Sequence, residues 1–221
     1  DVDRPALINQ AVASGIGQFV VPATTRDSWV NIRQLARDDR RAYAAYGIHP
    51  YFIDGHTLED VEALDGWLKK NNAVAVGEIG LDYYLQELNR DKQRILFDAQ
   101  LVIARKHGLP VILHARKAIH EVTDKIKKHN INNGIVHSFN GSLDQADTLI
   151  GMGFKLGFGG ALTDPRATRL RELVKKLPLE TICLETDAPD QPTPGFRGER
   201  NEPIALLEVL ETVASLKGQA V

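Results

Sequence analysis

A chain of 221 residues, 43% apolar and 25% charged, can bury a sizeable core and has the balance of an ordinary globular protein. Its 27 basic and 29 acidic residues leave a net charge of −2, so no global basic field draws in polyanions and any nucleic-acid contact must be local. The lone Cys183 excludes a disulfide framework. With no apolar run of about 18 residues and no basic-then-apolar leader, the expected setting is the cytoplasm, with no membrane contact.

In chain order, Asp3 reads as the N-cap of an opening helix that Gly15 stops. Short β-branched runs then alternate with amphipathic stretches. Strands are expected at 18–23, 42–48, 73–77, 110–113, 134–136, 154–158 and 181–185. Helices are expected at 58–70, 91–107, 118–129, 143–152, 166–176 and 204–216. Runs such as "AVAVGE", "VILH" and "TICLE" do not alternate apolar with polar. They read as strands covered on both faces, hence a parallel sheet with right-handed crossovers.

The expected fold class is an α/β barrel of the TIM (β/α)8 type. Between Thr24 and Asp187 each βα unit takes roughly 27 residues, near the ~31 implied by eight units in about 250 residues. No Gly-rich phosphate loop follows the first strand, which argues against a dinucleotide-binding fold. Seven strands and an opening helix lead to the expectation that the first barrel strand is missing from this chain. No linker divides the sequence, so residues 1–221 read as a single domain.

Four expected strand ends carry metal-ligand side chains: Glu78 in "GEIGLD", His114 in "LHAR", His137 in "VHSF" and Asp187 in "ETDAP". A single such group is ordinarily a satisfied hydrogen-bonding residue. Four of them, at strand ends that share one barrel mouth, point to a divalent-metal centre of the mixed N/O kind that suits Zn, Mn or Mg. Glu78 could bridge two ions, which would allow two-metal hydrolysis.

Around these lie further candidates. His49 in "GIHP" could be another ligand or a donor to substrate, or only a strand cap. Arg116 could grip an anionic substrate or serve a surface ion pair. Asp82 could support a metal-bound histidine. Arg166 follows the glycines of "GGALTDPR", and Arg197, Arg200 and Asn201 in "RGERNEP" could orient a phosphate or close the loop against the mouth. Glu185 reads as support for the Asp187 loop or as a helix-facing partner. His56, His107, His120 and His129 read as surface residues, and Ser138 and Ser142 lack triad partners. The basic runs "KIKKH" and "RATRLRELVKK" read as solvated helix faces. Tyr51, Phe52, Tyr83, Tyr84, Phe139 and Phe196 are aromatics near the expected mouth.

The blocks "YGIHP", "AVGEIGLDYY", "LPVILHARKA", "VHSFNGS", "LPLETICLETDAP" and "RNEP", ordered across residues 43–203, resemble the TatD-related deoxyribonucleases. These are amidohydrolase-like metal-dependent hydrolases on a TIM barrel, and "VVPAT" and "ETDAPDQP" point to their YjjV-like branch. The resemblance implies one or two divalent ions cleaving DNA phosphodiester bonds through an activated water. On the matching positions Glu78 would bridge the metals, His114 and His137 would bind one ion, and Asp187 would bind the other and help deprotonate the water. His49 would lie beside the metals, contacting substrate or ligand; with Arg116, Arg166 and Asn201, read from their positions alone, it makes up the expected substrate-binding set. The His-x-His pair that many members carry on a first strand has no counterpart here, which leaves the Asp187 site incomplete. Only the resemblance argues for DNA. A metal-dependent hydrolase of a small-molecule ester, amide or phosphoester is the alternative, and a non-catalytic scaffold barrel is the third reading, separable by metal content. No obligate protein partner is expected.

Overall fold

The computed structural model describes residues 3–221. In chain order the elements are α1 (Arg4–Ala13), β1 (Phe19–Pro22), α2 (Ser28–Asp38), β2 (Ala42–Tyr46), α3 (Leu58–Leu68), β3 (Ala75–Asp82) and α4 (Arg90–His107). There follow β4 (Val111–Arg116), α5 (Ile119–Lys128), β5 (Gly134–Val136), α6 (Leu143–Gly151), β6 (Phe154–Phe158), α7 (Thr168–Lys176), β7 (Ile182–Leu184) and α8 (Leu206–Lys217). They divide into two compact units. One comprises Gln18–His137 with Asp147–Phe154, and the other comprises residues 3–17, Ser138–Ala146 and Lys155–Val221.

In the first unit β1 to β5 lie in chain order, each parallel to the next. Parallel neighbours require crossovers, and α2, α3, α4 and α5 supply them. All eight residues of β3 are buried, consistent with a strand covered on both faces. The longest helix, α4, is capped by Asn89, whose Oδ1 accepts from the Lys92 amide at 3.0 Å. It ends at Gly108, φ 63°. Its inner stripe of Leu96, Phe97, Leu101 and Ala104 is 2% exposed or less, and each large apolar side chain buried in this way contributes about 1.5–3 kcal/mol.

In the second unit β6 and β7 pair in parallel, with Leu156 opposite Ile182 and Phe158 opposite Leu184. Phe158 meets Phe139 edge to face at 6.4 Å between ring centroids. The helix α8 packs on α7 and β7, burying Val209 and Val213. Among the described residues no helix is long and apolar enough to cross a membrane.

Two boundaries differ from expectation. The strands β3 and β4 run on to Asp82 and Arg116, so Glu78 and His114 lie within strands and not after them. The reason is pairing: Gly80 stands opposite His114 and Asp82 opposite Arg116, extending the ladder through polar residues that read as strand terminators. The helix α2 was not expected either. Trp29 is its one fully buried side chain, so its apolar stripe is faint in the sequence.

Candidate metal centre

The site is assembled just beyond β2 and within β3 and β4. Beyond β2 the chain "GIHP" is held at Gly47 O, at both backbone groups of Ile48 and at the His49 amide. Gly47 has no room for a side chain, since a Cβ there would fall 2.7 Å from Ile79 Cγ2. The Trp29 indole donates to Gly47 O at 3.1 Å. The buried Gln100 side chain accepts from the Ile48 amide at 2.7 Å and donates to the Ile48 carbonyl at 3.2 Å. Next, the His49 amide donates to Thr24 O at 2.9 Å. His49 therefore enters the site from a fixed backbone.

Its protonation follows from its partners. The His49 Nδ1 accepts from the Tyr51 amide at 3.1 Å, so the proton of the neutral ring sits on Nε2. That nitrogen points at Glu78 Oε1, 3.2 Å away. His49 thus presents a donor toward the site.

Glu78 is buried on β3 just where the register with β4 shifts, between Val76 and Ile79, and its amide donates to Ala23 O at 3.0 Å. His114 Nδ1 lies 3.2 Å from the same Oε1, and His114 Nε2 lies 3.0 Å from Asp82 Oδ2. A ring between two carboxylates carries protons on both nitrogens. The position between Glu78 and His114 Nδ1 is therefore one for a proton, or for a cation in its place. Burial pushes the Glu78 carboxyl upward, but hydrogen bonds from His114 and His49 and the nearby His137 overcome it and hold Glu78 well below the usual range. Burial likewise works against a charged His114, yet Asp82 and Glu78 raise its pKa above 6.5. Burial also opposes the Asp82 charge, while His114 and the amides of Tyr84 and Leu85 bring its pKa below 3.8.

His137, beyond β5, stacks nearly parallel to the His114 ring, with centroids 6.5 Å apart and planes at 27°. The ligand atoms of His49, Glu78 and His114 all lie within 4.8 Å of one another. A carboxylate with imidazoles, one of them backed by a further carboxylate, fits a divalent transition metal or Mg. With that proton displaced, Glu78 and His114 Nδ1 could serve as ligand atoms, with His49 Nε2–H as a donor beside them. Asp82 Oδ2 lies 3.0 Å from His114 Nε2, the ring nitrogen turned away from Glu78.

Of the other expected residues, Arg116 ends β4 in the first unit, while Asp187, Asn201, Glu185 and Arg166 lie in the second. Asp187, at φ 59°, accepts from the Gln191 side chain, and its carbonyl accepts from the Asp190 amide at 2.8 Å. Asn201 is buried, and its amide group is spent on the carbonyls of Thr186, Asp190 and Gln191, which staples the loop that carries Asp187. Glu185 Oε1 accepts from the Ser138 amide at 2.8 Å. Arg166 is 74% exposed and forks onto Asp164.

The sequence reading overlooked Gln93 and Gln100. Gln93 repeats the Gln100 clamp on Asp82, accepting from its amide at 2.8 Å and donating to its carbonyl at 3.0 Å. The signal was present: both sit on the inner stripe of α4, two turns apart, where an apolar residue would be the default. Three histidines read as surface residues are not. His56 is buried against Asp60, His107 meets Asp65 at 2.8 Å and His129 meets Asp98 at 2.7 Å. His120 is exposed, as expected.

Comparison with known proteins agrees with this geometry. The family model described as TatD related DNase matches residues 1–221. The uncharacterized metal-dependent hydrolase YjjV of Escherichia coli is 38% identical over 97% of this chain and 84% of its own length. YabD of Bacillus subtilis, also an uncharacterized metal-dependent hydrolase, is 34% identical over 98% of this chain and 86% of its own. The YjjV crystal structure superimposes with a TM-score of 0.93, covering 97% of this chain and 84% of that one, and the expected α/β class of TIM-barrel type is thereby seen. A TatD-family hydrolase from Entamoeba histolytica, 21% identical, covers 99% of this chain and 84% of its own with a TM-score of 0.81 and shares the fold.

Proposed function

The chain belongs to the TatD related DNase family and is a metal-dependent hydrolase, and from that premise we propose that it cleaves phosphodiester bonds of DNA. The observation that carries the reading is the convergence of the His49 and His114 nitrogens on Glu78 Oε1, both at 3.2 Å, with Asp82 behind His114. When bound, one or two divalent ions supply Lewis-acid polarisation and make a nucleophile available from water near neutral pH.

The chain's own groups do the rest. Glu78, His114 and His137 would hold the ion, and Asp82 fixes the His114 ring by taking its Nε2 proton in a hydrogen bond. His49 would direct Nε2–H at a non-bridging phosphate oxygen, where charge builds as water oxygen bonds to phosphorus and the ester P–O bond breaks. Asp187 is assigned the water's proton and a second ion on its "ETDAP" motif alone. Asn201 would keep that loop in place for it. Arg116 would take a substrate phosphate, and Arg166, paired to Asp164, would reach substrate only by exchanging partners. We place the enzyme in the cytoplasm, acting as one domain of residues 1–221 with DNA as its partner.

The test is hydrolysis of single-stranded DNA by metal-stripped protein given Mg, Mn or Zn, beside Asp187→Asn and His114→Ala. Metal-dependent cleavage lost in both variants is the expected result. Bound metal without cleavage would turn the reading toward a small-molecule ester, amide or phosphoester. Neither metal nor cleavage would overturn it.

A further inference from the structure

The strands β3 and β4 run side by side past the metal centre, and side chains return to the same face of a strand at every second residue. Arg116 therefore stands one step beyond His114, about 6–7 Å toward the C-terminal end. Its guanidinium lies over the Tyr84 ring, 3.8 Å from the centroid, and Lys117 Nζ is 4.8 Å from the same centroid. Lys117 adopts φ 53°, uncommon for a residue with a side chain, and this turn brings its ammonium back to the ring its neighbour covers. A third cation, Arg90, lies over Tyr83 at 4.7 Å.

These three differ from their neighbour Arg94, which also faces Tyr83 but is spent on Asp91 and Glu121. Arg90, Arg116 and Lys117 form no ion pair with a described residue. A guanidinium stacked on a ring keeps its in-plane N–H fork aimed outward, the geometry that captures phosphate; of the Arg90 fork, one N–H donates to Tyr83 O at 3.4 Å. Within the same unit, the turn after His49 exposes Tyr51 (54%) and Phe52 (42%), with the Phe52 ring 6.2 Å from His49. Exposed aromatic faces and cations free of ion pairs are the two elements of single-strand binding.

We infer that Arg116, Lys117 and Arg90 form a subsite for the phosphates of a single-stranded polynucleotide beyond the scissile one, with bases against Tyr51 and Phe52. Tyr84 is its positioning residue, acting by holding Arg116. The choice of ligand rests on the phosphodiesterase reading; the place rests on these residues.

Binding of a fluorescein-labelled oligothymidylate is followed by anisotropy without divalent ions, at 50–200 mM NaCl, with thymidine monophosphate and inorganic polyphosphate as competitors. Three phosphate contacts predict a log–log salt slope near −2, or roughly a 20-fold loss of affinity across that range. Lys117→Gln and Arg90→Gln should each flatten the slope by about 0.7. Phe52→Ala should weaken binding about 5- to 140-fold with the slope unchanged. Tyr84→Ala should weaken binding while Tyr84→Phe retains it, because the ring and not its hydroxyl holds Arg116. Far-UV circular dichroism checks that each variant is folded.

Slopes unmoved by both glutamine variants would overturn the subsite, as would Tyr84→Phe behaving like Tyr84→Ala. Competition by polyphosphate as effective as by unlabelled oligomer would overturn the polynucleotide assignment. Cleavage with an unmoved slope sinks the subsite and spares the phosphodiesterase. Metal-free binding with these dependences but no cleavage does the reverse.

Discussion

Replacing Gln100 by leucine should destabilise the fold and loosen the metal centre together. The Gln100 side chain is 1% exposed and hydrogen-bonds both the amide and the carbonyl of Ile48, itself fully buried. Leucine fits the volume and keeps the apolar stripe of α4 but pairs with neither group. Each of the two orphaned backbone groups costs about 1–3 kcal/mol, and the added apolar burial returns about 1 kcal/mol, so the net loss is about 1–5 kcal/mol. With a urea m-value of about 2–3 kcal/mol per molar, the midpoint should fall by about 0.3–2.5 M at constant m. Ile48 directly precedes His49, whose Nε2–H meets Glu78, so divalent-metal affinity should weaken about 10- to 100-fold. Urea unfolding of the metal-stripped protein and a competition titration with a chelator read the two effects separately. A midpoint within about 0.2 M of the parent would refute the reasoning, because it would mean that the clamp contributes nothing net.

Asp82→Asn should lower metal affinity about 10- to 100-fold, since it weakens the acceptor that fixes the His114 ring; isothermal titration measures it. Gly80→Ala should cost upward of about 3 kcal/mol, because φ is 149° and the new Cβ would fall 2.0 Å from His114 O; a midpoint near the parent's in urea would contradict this. Asp98 is bonded by Lys125 and His129, and although burial works to raise its pKa these partners bring it below 3.8. A carboxyl depressed in the folded state stabilises above its unfolded pKa and loses that contribution as pH falls through the folded value. Asp98→Asn should therefore lower the urea midpoint at pH 7 and flatten its fall below about pH 4; a pH profile parallel to the parent's would count against the ion pair.

Some of this was open to reading from residue order. Unbroken apolar runs such as "VILH" mean strands covered on both faces, and alternation with helices then permits little but a parallel α/β arrangement. Glu78, His114 and Asp82 stood out because charged or ligating groups in such runs are costly unless used. The helix α2 was hidden by its single buried residue, and the ends of β3 and β4 by carboxylates that pair as strand residues. Gln93 and Gln100 were visible as interruptions of a stripe, but a glutamine on an apolar face does not say which backbone it will clamp.

What the sequence by itself determined is the class of fold and the inventory of ligand-type side chains, because periodicity and burial are properties of neighbours along the chain. Which of those side chains meet was decided only by the tertiary structure. Glu78 and His114 are 36 residues apart in the chain and 3.2 Å apart in space. The ring orientations came later still: Tyr51 makes His49 a donor, and Asp82 engages His114 Nε2 so that Nδ1 faces Glu78. A hydrogen bond has a direction as well as a distance, and that direction exists only once both partners are in place.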